Sequence, residues 1–216
     1  MEQVLFVALQ IVIVIASITI HEFSHGYAAY KLGDDTAKRA GRLTLNPIKH
    51  LDLLGALMLL IVKIGWAKPV PINPYNFRNM KIDTALTAAA GPASNFIFAI
   101  LAAMCYNSLE GRYADPYQVS LLTHILIYGF KFTVIINIAL GLFNLIPIPP
   151  LDGSKIVGGF MTDNMYFKWM EWEKKGAYLL MIIFGISFFL KIPLIGTFIM
   201  PPLDYFTKLL IGTGLK

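Results

Sequence analysis

An apolar run from Val4 to Ile20 leads directly into the pentapeptide His21-Glu22-Phe23-Ser24-His25. The run is long enough to enter a lipid bilayer, and it predicts a membrane helix that continues to about Tyr30. On a helix, His21 and His25 lie one turn apart on the same face. Because polar and ionisable side chains at the end of a membrane helix are costly, this pentapeptide indicates a functional site.

The composition extends the membrane prediction to the whole chain. Its 216 residues are 56% hydrophobic and 14% charged, with a mean hydropathy of +0.64, whereas about a quarter of the residues of soluble domains are charged. A soluble protein could not bury so much apolar surface. The net charge of +5 comes from Lys and Arg residues spread between apolar runs, which favours a basic face at the inner leaflet over nucleic acid as a partner.

Further apolar runs predict an all-α, polytopic membrane protein with about four to six helical segments. After the first helix, we expect spans from Ala85 to about Tyr106, up to about Pro147, from Gly176 to about Leu190, and from Ile192 to Ile211. No polar linker divides the chain, so we expect a single membrane-embedded domain over residues 1–216. Its core would cover about residues 4–160, followed by membrane helices over about 176–212.

A shorter apolar run, Leu51 to Val62, follows the first helix and is too short to span a bilayer. The prolines of the next stretch, Gly65 to Pro74, forbid helix and favour extended chain. Extended backbone at membrane depth survives only against protein or a wet cavity. The two runs therefore predict a re-entrant insertion at the entrance of the site, although a surface loop fits the residues equally well.

Basic residues predict the orientation of the helices. They are frequent in residues 31–81 and moderately frequent in 155–175, whereas none precedes the first helix. Since cytoplasmic loops carry the excess of Lys and Arg, the N-terminus should lie outside. The ends of the first and third helices then face the cytoplasm, which brings His21, His25 and Asp152 to the same side of the membrane.

The paired histidines are a candidate zinc site. Two neutral imidazoles at this spacing can hold one zinc ion, and Glu22 between them can reach a zinc-activated water. A catalytic zinc site needs a third protein ligand and one open position. Asp152 is the best third ligand because it combines membrane depth, the predicted side and a rigid non-helical setting after Pro149-Pro150. His50 and Asp52 are the alternatives.

Asn95 is a lone amide in the second apolar span, just after Gly91-Pro92. Taken by itself, such a residue favours a hydrogen bond between helices over a catalytic role.

Three motifs in this order resemble those of the site-2 protease family. They are His21-Glu22-Phe23-Ser24-His25, Gly91-Pro92-Ala93-Ser94-Asn95, and the stretch from Asn144 through Leu151-Asp152-Gly153. The similarity extends to Gly41-Arg42-Leu43-Thr44-Leu45-Asn46-Pro47 and Lys68-Pro69-Val70-Pro71, so that it covers most of residues 15–160. Many members of the family carry a PDZ or CBS domain, for which 216 residues leave no room.

The resemblance implies an intramembrane zinc metalloendopeptidase, which hydrolyses a peptide bond within or near a transmembrane segment of its substrate. It implies one zinc per chain on His21, His25 and Asp152. Glu22 would be the general base of the zinc-activated water, and Asn95 would contact the substrate or the developing oxyanion. It further implies a membrane-inserted β-hairpin at about residues 51–75, near the substrate path.

The implied location is the cell membrane, as a multi-pass protein with its active site toward the cytoplasm. The implied partners are the lipid bilayer and a transmembrane protein substrate, while the oligomeric state stays open. Three other functions fit parts of the sequence. A zinc or cation transporter would use the His and Asp residues without needing Glu22 as a base. A catalytically inactive relative could bind membrane proteins, and a zinc protease could trim prenylated proteins, although no Glu-x-x-x-His motif supports the latter.

Overall fold

Helices make up the regular structure of the described residues, which are 2–52, 55, 67–110, 120–191 and 193–215 of this computed structural model. The α-helices are α1 (Glu2–Lys31), α2 (Thr36–Arg39), α3 (Met80–Glu110), α4 (Leu121–Asn144), α5 (Asp152–Gly158), α6 (Asp163–Leu190) and α7 (Leu194–Ile211). Two single 3₁₀ turns, Pro47–Lys49 and Pro74–Asn76, lie in the connection between α2 and α3.

Four of the described helices, α1, α3, α4 and α7, are long and apolar enough to cross a membrane. This confirms the prediction of an all-α, polytopic membrane protein. The predicted span from Gly176 to about Leu190 forms the second part of α6, where the apolar helix found is the shorter Tyr178–Ser187. The first part of α6 begins at Asp163 and extends the helix on the N-terminal side of the predicted span.

The predicted β-hairpin at about residues 51–75 lies largely outside the described residues, which omit 53–54 and 56–66. In the part that is described, no strand forms, and Leu51 and Ala67 make an isolated antiparallel bridge. The N–H of Lys68 donates to the His50 carbonyl at 2.9 Å. Beyond this point Pro69 and Pro71 lack the N–H groups that a ladder needs, so the described pairing stops here.

The described chain falls into two units. One comprises Met1–Ser17, Asn95–Asn144 and Ala177–Lys216, and the other comprises Ile18–Ser94 and Leu145–Gly176. The first unit holds a hydrophobic core contributed by α3, α4 and α7, with buried residues Ala99, Ala102, Ala103, Tyr106, Val134, Ile138, Leu203 and Ile211. The alanines on α3 allow neighbouring helices to approach closely, as small residues do in membrane proteins. The single-domain organisation over residues 1–216 stays a prediction.

A chain of buried polar side chains links the helices of the first unit. Asn95 donates through Nδ2 to Asn137 Oδ1 at 2.9 Å. Asn137 in turn donates to Ser17 Oγ at 2.9 Å and to the Thr133 carbonyl at 2.9 Å. Asn95, Asn137 and Ser17 are completely buried. These bonds agree with the interpretation of Asn95 as a residue that joins helices.

We expect Asn137→Ala to lower the free energy of unfolding by about 1–2 kcal/mol, because it removes the buried hydrogen bonds of Asn137 with Asn95 and Ser17. The measurement is thermal or denaturant unfolding in detergent. Asn144→Ala is the matched control on the same helix, since Asn144 Nδ2 donates to the Leu140 carbonyl one turn earlier. An equal loss in both variants would contradict a special contribution of the buried network.

Candidate metal centre

His21 and His25 lie one turn apart near the end of α1, and both are buried. Their Nε2 atoms are 2.9 Å apart, and their rings meet edge to face with centroids 4.5 Å apart. Helical spacing places the two imidazoles on one face, as the pentapeptide predicts. The close approach of the two Nε2 atoms means that both rings are directed at the same point.

The carbonyl of Thr87 on α3 fixes the orientation of His25. His25 Nδ1 lies 2.8 Å from this oxygen, in a buried setting. A carbonyl can only accept, so Nδ1 carries the proton and Nε2 presents its lone pair. This is the partner that metal-ligating histidines commonly have on the nitrogen that faces away from the metal.

Asp152 is the first residue of α5 and approaches both histidines. Its Oδ2 lies 3.2 Å from His21 Nε2 and 3.3 Å from His25 Nε2. Burial raises the pKa of the Asp152 carboxyl, but His21 and His25 lower it by a larger amount. The net pKa therefore lies well below the usual range. The group is therefore an ionised carboxylate at neutral pH.

The backbone around Asp152 corrects one prediction, because the residue opens a helix and is not on irregular chain. The prolines before Leu151 end the preceding structure, and an acidic residue is favourable in the first turn of a helix. A Cβ at Gly153 would stand 2.2 Å from the Leu145 carbonyl oxygen. Glycine is therefore required beside the carboxylate. The Trp169 indole of α6 donates to the Ser154 carbonyl at 2.9 Å and holds α5 in place.

These three side chains fit a zinc ion. His21, His25 and Asp152 are the group of three that the described residues bring together as potential metal ligands. Zinc bonds of about 2.0–2.2 Å at tetrahedral angles separate ligand atoms by about 3.3–3.6 Å, and the separations here, 2.9, 3.2 and 3.3 Å, lie at or slightly below the lower end of that range. Two imidazoles and one carboxylate also form a ligand set of catalytic zinc sites, in which a fourth position stays open.

Glu22, next to His21 on α1, meets the stretch Lys68–Asn73, which is called here the proline segment. The N–H of Val70 donates to Glu22 Oε2 at 2.8 Å. Val70 is buried, whereas Glu22 is half-buried. One carboxylate oxygen of Glu22 is thus fixed by backbone from a distant part of the sequence.

Gly91 on α3 makes room for the histidines. A Cβ at this position would lie 2.3 Å from His25 Nε2 and 2.6 Å from His21 Cε1. Atoms at such distances overlap, so any side chain here would displace both rings. The motif Gly91-Pro92-Ala93-Ser94-Asn95 therefore contributes a close helix approach to the metal centre.

The alternative third ligands have other partners. His50 is buried, and its Nε2 faces the Thr44 carbonyl at 2.8 Å. Asp52 accepts the N–H of Gly55 at 2.8 Å. The geometry thus favours Asp152 over both alternatives. Asn95 belongs to the other unit, and its catalytic role stays a prediction.

The contacts of the site that could not be predicted from the sequence are made by backbone groups. Nothing in the sequence marks the Thr87 carbonyl as the partner of His25, or the Val70 N–H as the partner of Glu22. Gly91 can be read from the sequence, but nothing there indicates that it makes room for His21 and His25.

We expect Gly91→Ala to abolish stoichiometric metal binding while the protein remains folded, because the added methyl group displaces the His21 and His25 rings. Metal content of purified protein, with circular dichroism as a check on folding, measures this. Gly185→Ala on α6 is the matched control, since a Cβ there meets no atom within 4 Å. A Gly91→Ala protein that retains a full complement of metal would contradict this geometry.

The model of the family described as "Peptidase family M50" matches residues 113–189 of this chain. YwhC of Bacillus subtilis, named as a candidate zinc metalloprotease, is 38% identical over 174 residues, which cover 81% of this chain and 78% of the relative. Two further relatives, both named Rip2 and also described as candidate zinc metalloproteases, are each 30% identical to this chain. The one from Mycolicibacterium smegmatis aligns over 63% of this chain and 51% of its own length, and the one from Mycobacterium tuberculosis over 64% and 52%.

The chain therefore spans about half the length of these mycobacterial relatives but most of the length of YwhC. No solved structure matches it. The four apolar helices identify a multi-pass membrane protein. The zinc-compatible cluster and the relatives' names agree on zinc as the cofactor. The extent of the match to YwhC, together with the family match, shows that this chain belongs to peptidase family M50, the site-2 protease family of zinc metalloproteases.

Proposed function

We propose that this chain is an intramembrane zinc metalloendopeptidase that hydrolyses a peptide bond within or near a transmembrane segment of a membrane protein. The observation that carries the proposal is the convergence of His21, His25 and Asp152 at the end of an apolar helix, beside Glu22. Ionisable residues in such a helix are energetically costly, so their presence indicates a functional site. A carboxylate next to this ligand set is what hydrolysis requires.

His21, His25 and Asp152 would hold one zinc ion per chain. When bound, zinc polarises a scissile carbonyl and lowers the pKa of water to about 7. The Thr87 carbonyl keeps the His25 ring turned toward the ion, and Gly91 leaves space for both rings. The ionised Asp152 supplies the one negative charge of the ligand set.

Glu22 would act as the general base. Its carboxylate takes a proton from the attacking water and later delivers it to the leaving amine. The Val70 N–H donates to Oε2 and would restrain the carboxylate, while Oε1 would be the oxygen that takes the proton.

A helical substrate must unwind before its backbone can reach the site, since a helix uses its own peptide groups in hydrogen bonds. Strand addition by the Pro69 to Pro74 region is one means of capturing the unwound chain. In the proline segment, the N–H groups of Lys68, Val70 and Asn73 already donate to this chain's own acceptors. Strand addition would therefore rely on carbonyl oxygens and on the Ile72 N–H. A contact of Asn95 with the substrate is supported by its motif alone.

The same proposal places the N-terminus outside the cell and the metal centre toward the cytoplasm. Its support is the excess of Lys and Arg in residues 31–81, which follow α1.

Glu22→Gln should retain about one zinc per chain, as in a one-metal site, and lose cleavage, because it removes the base but none of the proposed ligands. Asp152→Ala should lose both zinc and cleavage. The measurement pairs the zinc content of detergent-purified protein with cleavage of a single-pass test substrate.

Zinc retained at the wild-type level in Asp152→Ala would contradict Asp152 as the third ligand. His50 and Asp52 would then become the candidates for that position. Zinc present in a wild type that cuts no substrate would favour a transporter or an inactive binding protein, and metal transport into vesicles would then be measured.

The orientation can be tested with single cysteines in a Cys105→Ser background, since Cys105 is the only cysteine of the chain. Ser120 and Lys168 are both exposed. In intact cells, a membrane-impermeant maleimide should label Ser120→Cys, and it should label Lys168→Cys only after permeabilisation. The opposite pattern would reverse the proposed topology.

A further inference from the structure

The proline segment, Lys68–Asn73, has no regular secondary structure to hold it in place. Pro69 and Pro71 lack N–H groups and fix their own φ angles, so the segment is stiff but poor in donors. Its position must therefore come from groups elsewhere in the chain. Two charged side chains of the same unit, Arg42 and Asp34, provide it.

Arg42 holds the beginning of the segment. Its guanidinium is buried, and Nη2 donates to the Lys68 carbonyl at 2.7 Å and to the Pro69 carbonyl at 3.3 Å. Hydrogen bonds from a charged donor are roughly twice as strong as neutral ones. Together with the bond from the Lys68 N–H to His50, they fix both peptide groups of Lys68.

Asp34 holds the end of the segment. This carboxylate is completely buried; its Oδ2 accepts the N–H of Asn73 at 2.7 Å, and its Oδ1 accepts Asn76 Nδ2 at 2.7 Å. The backbone N–H and the hydroxyl of Thr36 also donate to Oδ1. Burial raises the pKa of Asp34, but these donors lower it more, and the net pKa falls below its ordinary value. Asp34 is thus an ionised acceptor.

Between these two anchors, Val70 faces α1. Its N–H donates to Glu22 Oε2, and its side chain packs beside Gly26, where a Cβ would be 3.1 Å from Val70 Cγ1. Gly26 lies one helical turn after Glu22, on the same face of α1. The contact at Gly26 and the bond to Glu22 therefore set the position of Val70 together.

We propose that Asp34 and Arg42 are positioning residues, which hold the proline segment at both ends so that the Val70 N–H fixes the carboxylate of Glu22. The inference rests on the proposed role of Glu22 as the general base. A free glutamate samples several rotamers, and a misplacement of about 1 Å can cost about 100-fold in rate. The anchored N–H restricts the carboxylate to one orientation.

The first measurement is hydrogen–deuterium exchange of the zinc-loaded full chain, resolved to single amides. The proline segment contains only four backbone amides, those of Lys68, Val70, Ile72 and Asn73. Val70 should be protected in the wild type. Glu22→Ala should accelerate exchange at Val70, and Asp34→Asn should accelerate it at both Asn73 and Val70.

The second measurement is kcat, KM and zinc content. Asp34→Asn and Arg42→Met should lower kcat by about 10- to 100-fold, with KM and zinc content unchanged, and Arg42→Lys should recover part of the loss. Asp83→Asn is the matched control, because Asp83 is also a buried carboxylate that accepts a backbone N–H, from Asn79 at 2.9 Å. The hydrogen bonds described for Asp83 are with Asn79 rather than with the proline segment, so the variant should keep the wild-type kcat.

Val70→Pro removes the donor to Glu22 and the valine side chain beside Gly26, whereas Val70→Ala shortens that side chain but retains the donor. The inference holds if Val70→Pro lowers kcat far more than Val70→Ala. It is overturned if Val70→Pro and Asp34→Asn keep the wild-type kcat while Glu22→Gln is inactive, or if the anchor variants lose zinc or raise KM instead. Cleavage by Glu22→Gln would instead contradict the proposed function itself, and the exchange pattern at Val70 would remain as a separate result.

Discussion

The metal centre depends on one close approach, in which α3 comes near enough to α1 for the Thr87 carbonyl to meet His25 Nδ1 at 2.8 Å. That approach is possible because Gly91, one turn later on α3, has no Cβ to collide with the two imidazoles. The backbone of α3 thus orients His25, and Gly91 on the same helix leaves space for the rings of His21 and His25. Asp152 then completes the cluster from a separate short helix whose own start requires Gly153.

The parts of the fold that could be predicted from the sequence are those governed by local pattern. Apolar length predicts the membrane helices α1, α3, α4 and α7, and a four-residue spacing places His21 and His25 on one face. Asp152 could be selected as their partner because membrane depth and charge distribution limit the candidates. The helices and the proximity of the three side chains agree with these predictions, because bilayer thickness and helix periodicity act on each segment independently of its neighbours, whereas their roles as zinc ligands stay predictions.

The remaining contacts of the site could not be predicted because they depend on backbone groups that every residue possesses. The identity of a residue does not show whether its backbone will act as a partner. Only the packing of segments distant in sequence selects the Thr87 carbonyl and the Val70 N–H. The helix that begins at Asp152 was missed for a related reason. Prolines end the structure before them, but they do not exclude a new helix immediately afterwards, and an acidic residue is favourable in its first turn.

If Glu22 is the general base, as proposed, the proline segment gives its carboxylate a donor without placing another charge beside the candidate metal ligands. A lysine or arginine in contact with Glu22 would stabilise the ionised carboxylate and weaken it as a base. A neutral backbone N–H orients the carboxylate with a smaller effect on its basicity. The charges of Arg42 and Asp34 instead act on the two ends of the segment, where Arg42 meets carbonyl oxygens and Asp34 meets N–H groups. In the proposed arrangement, Arg42 and Asp34 act on Glu22 only through the position of the Val70 N–H.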